Sequence, residues 1–238
     1  MKISLIILFK NELEYAKVTL ETVYGYLSER HIDFEQIAVD DSNDGTWDIL
    51  QEFASLHPNN TIVVKGGEPS GYGKALQRGF GEANGDIIIP FNGDMCDSLD
   101  DVIRYIQLIK AGNDMVFGSR FMQGSTINGF SNFKTLISRL GNLFLQVLFR
   151  VDCNDLTNSF KAYRKDVLKE IQITSSGYSI GLEVALKAIQ RKYKYTTIPI
   201  SWSDRQYGQS KMSIVKSIIS YLYVAYKQFF FPSIMAET

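Results

Sequence analysis

Residues 37–46, with the sequence IAVDDSNDGT, are the strongest indication of the fold class of this chain. This stretch begins with apolar, β-prone residues, passes through the carboxylates Asp40 and Asp41, and continues through turn-forming residues into a segment with helical spacing. A second apolar stretch, residues 86–91, leads in the same way into the polar turn of residues 92–94. Strands that end in polar turns and lead into helices are typical of a parallel sheet, in which ligands bind beyond the carboxyl ends of the strands.

Apolar segments alternate with segments of helical spacing, which predicts an α/β fold with helices on both faces of a mostly parallel sheet. In the first half, the predicted strands cover residues 3–8, 36–40, 61–65, 86–91 and 114–118, and the predicted helices cover residues 11–28, 46–56, 72–83 and 99–111. In the second half, helices are expected over residues 132–150, 180–191 and 212–231, and strands over residues 158–164 and 195–202. We expect one large domain over residues 1–211, followed by an apolar and aromatic helix within residues 212–238.

The composition is that of a folded globular protein, with 238 residues, 45% hydrophobic and 21% charged. The net charge of −1 gives no support to bulk nucleic-acid binding, so we expect no nucleic-acid partner. Two distant cysteines, Cys96 and Cys153, predict no disulfide framework and suit a reducing, cytoplasmic setting. His31 and His57 have no neighbours at the spacing of a structural zinc site.

The adjacent carboxylates Asp40 and Asp41 are the first candidates for binding a nucleotide. Either one can accept hydrogen bonds from a base or a ribose, whereas Asp44 is placed to cap the following helix. The same residues also fit an ordinary strand-to-helix turn, because Asp, Ser, Asn and Gly are common turn formers.

A glycine-rich segment, residues 66–76, precedes the third predicted helix and contains Lys74. Backbone N–H groups of such a turn can approach a phosphate group. The segment is not a Walker A loop, because Ala75 follows Lys74, and it is not a GxGxxG fingerprint, because residue 76 is a leucine. A plain loop explains the glycines equally well.

The turn formed by Asn92, Gly93 and Asp94 offers amide and carboxylate oxygens to a divalent cation. Mg²⁺ and Mn²⁺ prefer hard oxygen ligands and bridge carboxylates to phosphates. We therefore favour Asp94 as a metal ligand, with Asn92 beside it. Asp97 either contributes to this site or caps the next helix. The alternative is a tight Asn-Gly turn that binds no metal.

Four basic residues are placed where they can clamp phosphate groups: Arg120, Arg139, Arg205 and Lys211. Arg120 follows a predicted strand, Arg139 lies on a mostly apolar helix, and the other two lie in the polar segment 204–211. The planar guanidinium group is well shaped for phosphate oxygens. Taken singly, each of these residues is more often a surface charge.

The apolar segment of residues 212–231 carries three tyrosines and is interrupted by Lys216 and Lys227. On a helix of 3.6 residues per turn, these two lysines lie within about 20° of each other. One basic edge with aromatic flanks suits a helix that lies in a membrane interface. A core helix or a dimer helix explains the same pattern, and the sequence leaves both open.

Taken in order, these motifs resemble those of the family 2 glycosyltransferases, and within them the dolichyl- or polyprenyl-phosphate mannose synthases. The resemblance extends over about residues 3–211. It is carried by NE at 11–12, DDSNDGT at 40–46, GYGKA at 71–75, GDIII at 85–89, GSR at 118–120, ISR at 137–139, DLTNSFKAYR at 155–164 and YGQSK at 207–211. The pieces DLTNSF and YGQSK are the more specific ones.

This resemblance implies a GT-A fold and the inverting transfer of a hexose from a nucleotide sugar, GDP-mannose or UDP-glucose, with Mg²⁺ or Mn²⁺ as cofactor. Glu12 and Asp40 are implied to contact the nucleoside, and Asp94 to hold the metal. The implied donor site also contains Asp41, Lys74, Asn92 and Gly93. The implied phosphate contacts are Arg120, Arg139, Arg205 and Lys211, and the implied catalytic residues are Asp94, Arg120 and Arg139.

The chain departs from this family pattern at two positions near the expected donor site. Asn92 stands where the family usually has an Asp, which removes one negative charge beside the metal. Lys10 stands close to the expected nucleoside position, where the family often has a Tyr. The metal preference and the identity of the donor therefore stay open.

A physical argument favours a lipid phosphate as the acceptor. A sugar hydroxyl must lose a proton during attack and needs a general base. A lipid monophosphate is already an anion near pH 7 and needs cations that hold two negatively charged reactants together. This interpretation predicts a peripheral protein on the cytosolic face of a membrane, with a homo-oligomer or a membrane protein as a further partner.

Two other functions are weighed against this one. A family 2 enzyme acting on a sugar hydroxyl, for example in surface polysaccharide synthesis, would need a base, for which Asp155 and Glu183 are the candidates. The third interpretation is a non-catalytic nucleotide-sugar-binding protein, which the presence of Asn92 suggests.

Overall fold

The structure, a computed structural model, describes residues 1–67, 70–129, 131–205 and 213–232. Its strands are β1 (Ile3–Phe9), β2 (Phe34–Asp40), β3 (Thr61–Lys65), β4 (Ile87–Asn92), β5 (Met115–Ser119), β6 (Thr126–Asn128), β7 (Lys161–Arg164), β8 (Tyr195–Pro199) and β9 (Ser201–Ser203). Its helices are α1 (Leu13–Glu29), α2 (Thr46–Leu56), α3 (Tyr72–Glu82), α4 (Leu99–Lys110), α5 (Asn132–Phe149), α6 (Lys165–Glu170), α7 (Ile180–Gln190) and α8 (Ile214–Phe230).

The central sheet has the strand order β3-β2-β1-β4-β7-β5-β8. Every neighbouring pair is parallel except the two pairs made by β7, which runs antiparallel to β4 and to β5. The predicted mostly parallel α/β fold is therefore confirmed. Phe9 of β1 pairs with Asp40 of β2, and Leu8 pairs with Asn92 of β4. The three strands that carry the candidate site residues thus end side by side.

Strand β1 supplies apolar side chains to both faces of the sheet. Ile3, Leu5 and Ile7 pack with helices α1, α2 and α4, whereas Ile6 packs with helices α3 and α7 on the opposite face. This alternation follows from the two-residue period of a strand. Each fully buried side chain of this size contributes about 1.5–3 kcal/mol of hydrophobic stabilisation.

Two predicted strands are shorter in the structure than in the sequence analysis. The strand expected over residues 158–164 begins at Lys161, because Asn158 instead donates its side-chain amide to the carbonyl of Gly118. The strand expected over residues 195–202 divides at Ile200 into β8 and β9. Ile200 donates its N–H to Ser119 and accepts a hydrogen bond from Thr126, so its backbone joins the two sheets.

The small sheet of β6 and β9 and the short helix α6 were not predicted. Strand β9 pairs in parallel with β6 through three residues of each. Strands this short carry no readable two-residue period, which explains why the sequence did not reveal them. The helix expected from residue 11 begins at Leu13, because Asn11 has a φ of 51° and cannot continue a right-handed helix.

A buried carboxylate, Glu35, joins β2 to two neighbouring segments. It accepts hydrogen bonds from Lys2 Nζ at 2.6 Å, from Ser4 Oγ at 2.6 Å and from the N–H of Asn84 at 2.6 Å. Burial alone would raise the pKa of Glu35, but these hydrogen bonds and the charge of Lys2 lower it below its ordinary value. The carboxylate form is thus the one that the fold stabilises.

We expect Glu35→Gln to lower the free energy of unfolding by about 1–3 kcal/mol at pH 7, because a donor then replaces one acceptor of this network. A carboxylate whose pKa is lowered in the folded state stabilises the folded protein at pH values above its unfolded pKa, about 4.3. This stabilisation is lost as the pH falls below that value. Urea unfolding at pH 7 and at pH 3.5 measures both effects. The control is Glu82→Gln, at an exposed position. If the free energies of unfolding of the wild-type protein and Glu35→Gln differ by as much at pH 3.5 as at pH 7, the lowered pKa of Glu35 is contradicted.

Helices α5 and α8 expose apolar side chains along much of their length. On α5 these are Phe133, Leu136, Leu140, Leu143, Phe144 and Val147, and on α8 they include Val215, Ile219, Leu222, Tyr226, Phe229 and Phe230. Neither helix sequence contains an Asp or a Glu. Within the described ranges, no helix is both long enough and apolar enough to span a bilayer.

Candidate active site

A cavity of about 730 Å³ lies at the carboxyl ends of the central strands. Its walls at this edge include Phe9 of β1, Asp41 just after β2, Asn92 of β4 and Arg120 just after β5. The position agrees with the general rule that ligands bind beyond the carboxyl ends of parallel strands. The sequence motifs at the ends of these strands therefore line the same cavity.

Arg205 bridges two carboxylates at the sheet edge of this cavity. Its guanidinium group lies 3.2 Å from Oε1 of Glu12 and 2.5 Å from Oδ2 of Asp94. Glu12 lies between β1 and α1, and Asp94 follows β4, so the bridge connects two adjacent strand ends. Burial opposes the charge of Arg205, but the carboxylates of Asp94 and Glu12 outweigh it and raise the pKa of Arg205 above its ordinary value.

The residues around Asp94 fit a divalent cation that is shared with a diphosphate. Asn92 donates its amide nitrogen to Oδ2 of Asp97 at 2.8 Å, so its amide oxygen is the atom through which it can ligate a cation. Across the described residues, no cluster of three or more His, Cys, Asp or Glu side chains forms a complete metal cage. Mg²⁺ commonly binds through one or two protein oxygens plus substrate phosphates. Asp94 and Asn92 match that requirement, and Arg205 holds a positive charge at the same carboxylate.

Asp97 orients Asn92 and does not cap helix α4. It accepts hydrogen bonds from both the backbone N–H and the side-chain amide of Asn92, whereas Ser98 is the residue that caps α4. Burial, with the charge of Asp94 adding to it, raises the pKa of Asp97 to about 7. An Asp at position 92 would place a third carboxylate against this pair, so the amide of Asn92 is the side chain that suits its neighbour.

Of the adjacent carboxylates, Asp41 lines the cavity and Asp40 supports the turn behind it. Asp40 is 2% exposed and accepts the N–H of Ser42. Burial raises the pKa of Asp40, and hydrogen bonds from Ser42 only partly oppose this shift. Asp41 accepts the N–H of Gly71 at 3.4 Å and lies 3.5 Å from Arg78. Arg78 was not among the predicted site residues, since only the folded helix α3 brings it to Asp41.

Gly66 is required by the close approach of Asp41. A Cβ at residue 66 would lie 1.6 Å from Oδ1 of Asp41 and 2.8 Å from the carbonyl oxygen of Asp40. At the neighbouring Gly67, a Cβ would meet only the end of the flexible Arg78 side chain, at 3.6 Å. The two glycines therefore form a matched pair for testing this wall of the cavity.

We expect Gly66→Ala to weaken nucleoside diphosphate binding by roughly 10- to 100-fold, because it displaces the Asp41 carboxylate by an ångström or more. Gly67→Ala should bind within about twofold of the wild-type protein, because a Cβ there makes only an ordinary van der Waals contact with Arg78. Isothermal titration with GDP and with UDP measures both variants. Equal affinities in the two variants would contradict a contribution of the Asp41 carboxylate to nucleoside diphosphate binding.

Lys74 and Arg139 do not line the cavity, as far as the described part of the chain shows. On α3 it is Gly71, Tyr72 and Ala75 that face the cavity. Arg139 is exposed on α5, where its guanidinium lies 5.2 Å from the ring of Phe121. Their predicted donor and phosphate contacts stay predictions. Lys211 and the YGQSK segment lie outside the described residues.

Two other lysines line the cavity. Lys10 lies just after β1, and Lys134 lies in the first turn of α5, whose N-cap is Ser131. From the sequence, Lys10 was predicted only as a departure from the family pattern, and Lys134 was not among the predicted site residues. The sequence feature that could have indicated Lys134 is its position three residues after Ser131, a serine suited to cap a helix. Both lysines add positive charge to the cavity wall.

Arg120 is held in the cavity wall by Asp155. Its guanidinium makes two hydrogen bonds to the Asp155 carboxylate, at 2.8 Å and 2.9 Å, and its backbone N–H makes a third at 3.0 Å. Asp155 is fully buried and also accepts a hydrogen bond from Asn142 of α5. Burial opposes the charge of Arg120, but Asp155 outweighs it and raises the pKa of Arg120 above its ordinary value.

The candidate general bases are Asp155 and Glu183. Neither is among the described residues that line the cavity. Asp155 is engaged by Arg120 on both carboxylate oxygens. Glu183 is 1% exposed on α7. Burial alone would raise the pKa of Glu183, but hydrogen bonds from Lys187, Ser175 and Thr174 lower it below its ordinary value. A carboxylate with a lowered pKa and no access to the cavity is a poor proton acceptor.

Helices α5 and α8 contribute an apolar part of the cavity wall. This part is formed by Ile137, Phe144 and Leu145 of α5 and by Ile218, Tyr221 and Leu222 of α8. The same two helices expose apolar side chains to the outside. The cavity therefore combines a charged end at the sheet with an apolar end between α5 and α8.

The profile of glycosyl transferase family 2 matches residues 4–172 of this chain. The chain is 30% identical to the dolichol-phosphate mannosyltransferase of Pyrococcus furiosus over 235 residues, which is 95% of this chain and 63% of that protein. It is 28% identical to the polyprenol monophosphomannose synthase of Mycolicibacterium smegmatis over 210 residues, which is 85% of this chain and 78% of that protein. The chain thus spans somewhat less than two thirds of the first of these relatives.

Solved structures with low sequence identity share the fold. The glucosyl-3-phosphoglycerate synthase of Mycobacterium tuberculosis, solved with Mn²⁺, uridine diphosphate and phosphoglyceric acid, has a TM-score of 0.68 at 16% identity, over 94% of this chain and 78% of that one. The mannosyl-3-phosphoglycerate synthase of Rubrobacter xylanophilus has a TM-score of 0.74 at 14% identity, over 97% of this chain and 74% of that one. The sheet and its helices form the GT-A fold, as expected. The chain belongs to the family 2 glycosyltransferases.

Proposed function

We propose that this glycosyltransferase moves a mannose residue from GDP-mannose to a polyprenyl or dolichyl phosphate, with inversion at the anomeric carbon. One observation carries this proposal: a single cavity joins a charged end at the sheet to an apolar end between α5 and α8. A nucleotide sugar and a lipid phosphate need these two environments side by side. The names of the two curated relatives support the same acceptor class.

In the proposed reaction, an oxygen of the acceptor phosphate attacks the anomeric carbon of the sugar in line. A new bond forms between the anomeric carbon and the acceptor phosphate oxygen. The bond between the anomeric carbon and the nucleoside diphosphate breaks, and its electron pair leaves with the diphosphate. No proton has to be removed, which fits the engagement of Asp155 and Glu183 elsewhere. Arg120 and Lys134 line the cavity and are placed to hold the acceptor phosphate beside the donor.

Asp94 would hold Mg²⁺ or Mn²⁺ through its carboxylate and Asn92 would hold it through its amide oxygen. When bound, the cation neutralises the developing charge of the departing diphosphate. For Arg205, we propose a shift from the Glu12–Asp94 bridge to a phosphate oxygen of the donor. Asp41 would then face the nucleoside, with Asp40 acting through the turn that it stabilises.

For the lipid, we propose that α5 and α8 rest on the cytosolic face of a membrane. The exposed apolar side chains of both helices are the observation behind this proposal. Lys216 and Lys227 of α8 and Arg139 of α5 supply positive charge beside these apolar faces. The division into a catalytic domain over residues 1–211 and a membrane-contacting helix after it remains part of the proposal, as does any homo-oligomer or membrane partner.

The experiment that tests the proposed donor and lipid incubates purified protein with radiolabelled GDP-mannose, Mg²⁺ or Mn²⁺, and a polyprenyl phosphate. Organic extraction then separates lipid-linked label from the free donor. We expect label in the organic phase, at a level that depends on the cation. A parallel incubation with radiolabelled UDP-glucose tests the donor. Label from UDP-glucose alone would overturn the mannose assignment, and no lipid label from either donor would overturn the lipid acceptor.

A further inference from the structure

A buried carboxylate on α7 fixes a loop that stands outside the main cavity. Glu183 accepts hydrogen bonds from the N–H of Thr174 at 3.1 Å, from its hydroxyl at 2.7 Å, from the N–H of Ser175 at 2.7 Å and from Lys187 Nζ at 2.6 Å. Lys187 also donates to the carbonyl of Gln172 at 2.5 Å. The loop of residues 174–177 is therefore anchored at its beginning by the buried ion pair of Glu183 and Lys187.

The same loop packs directly against the first turn of α3. The carbonyl of Ser176 accepts the N–H of Gly73 at 2.9 Å, and the carbonyl of Ser175 accepts the side-chain amide of Gln77 at 2.8 Å. The approach is close enough that a Cβ at Gly73 would lie 2.6 Å from the carbonyl carbon of Ser176. Gly71, at the start of this turn, donates its N–H to Asp41. The loop thus supports the helix end that contacts the carboxylate of the donor site.

Beyond the loop, the chain enters the cavity wall. Tyr178 stacks on Tyr72 of α3 with 4.6 Å between ring centroids, and both rings line the cavity. Tyr221 of α8 donates its hydroxyl towards the carbonyl of Tyr178 at 3.4 Å. The positions of both stacked rings therefore depend on where the loop of residues 174–177 lies.

We propose that Glu183 is a positioning residue for the donor: through the loop of residues 174–177 it sets the first turn of α3 beside Asp41 and the stacked pair of Tyr72 and Tyr178. It touches neither reactant. Its effect is exerted on the nucleoside diphosphate end of the cavity, because Gly71 and Tyr72 belong to that wall. This inference rests on the proposed nucleotide-sugar donor and assigns Glu183 a role other than that of a general base.

Three variants test the inference. Glu183→Gln places an amide donor where Thr174 and Ser175 need an acceptor. Gly73→Ala disturbs the same contact from the side of α3 and leaves Glu183 untouched. Gly81→Ala, at the other end of α3, is the matched control, because a Cβ there meets no atom within 4 Å. The second variant keeps the test valid if Glu183→Gln folds poorly.

The measurement is the affinity for GDP with Mg²⁺ and for UDP with Mg²⁺ by titration calorimetry, without acceptor or lipid, followed by the donor and acceptor KM. We expect Glu183→Gln and Gly73→Ala to weaken binding and to raise the donor KM by roughly 10-fold or more, with the acceptor KM and the Gly81→Ala values unchanged. A merely structural role would lower the folded fraction, and with it the apparent kcat, but would leave the dissociation constant of the folded protein unchanged.

Two results overturn the inference in different ways. If the wild-type protein binds a nucleoside diphosphate and both variants bind it equally well, Glu183 does not position the donor site and the proposed function is untouched. If the wild-type protein binds neither GDP nor UDP, the proposed donor is wrong and the inference falls with it.

Discussion

Replacing Asp94 with Asn is expected to lower the rate of sugar transfer by about 100-fold or more while the protein stays folded. Asp94 is the one carboxylate of its turn, because position 92 is already an amide. Asp94→Asn would leave the turn with no negative charge for a divalent cation that shares the donor diphosphate. Losing the stabilisation of a departing anionic group costs several kcal/mol in the transition state, and each 1.36 kcal/mol changes a rate tenfold.

The measurement pairs transfer rates with titration of Mn²⁺ in the presence of GDP. Asp94→Asn should lose both activity and cation binding, and the exposed Asp166→Asn should keep both. Circular dichroism checks that the variant remains folded. If Asp94→Asn keeps the full rate and the full affinity for Mn²⁺, Asp94 is not the metal ligand.

Replacing Asp155 with Asn is expected to lower the free energy of unfolding by about 3–5 kcal/mol, because it removes the buried carboxylate that the Arg120 guanidinium binds through two hydrogen bonds. Arg120 and Asp155 form a two-bond ion pair in which Asp155 is fully buried. The side chain of Arg120 is 13% exposed, so little water is available to replace the lost partner. Activity should fall as well, since Arg120 lines the cavity.

Urea unfolding at pH 7 tests this second expectation against the general-base interpretation. An Asp155 that acted as a base would leave a stable, inactive protein when changed to Asn. The control is Asp166→Asn, whose ion pair with Arg164 is exposed and should contribute less than about 1 kcal/mol. A stability of Asp155→Asn within 1 kcal/mol of the wild-type protein would contradict the structural role.

The alternation of strands and helices in the first half was predictable because each strand there is a continuous apolar run bounded by polar turns. β1, β2 and β4 are buried on both faces, so their sequences leave little choice of conformation. The carboxyl ends of these strands also gave the positions of Asp41 and Asp94 in the candidate site. Local sequence was sufficient there, because the site follows directly from where parallel strands end.

The parts that the sequence did not reveal depend on contacts between distant segments. Arg78 reaches Asp41 only because α3 packs beside β2, and Arg205 reaches Glu12 across a separation of 193 residues. The roles of Asp155 and Glu183 were open for the same reason. Each carboxylate had to be seen with its partner, Arg120 or Lys187, before a structural role could be distinguished from a catalytic one.

Whether the acceptor is a lipid phosphate is decided by offering two acceptors with the same polyprenyl chain, one with a phosphate and one with a free hydroxyl. Each is incubated with protein, GDP-mannose and Mg²⁺, and the lipid products are identified by mass spectrometry. We expect a mannosyl phosphate lipid from the phosphate acceptor and no product from the alcohol. A product from the alcohol, with none from the phosphate, would contradict the proposal.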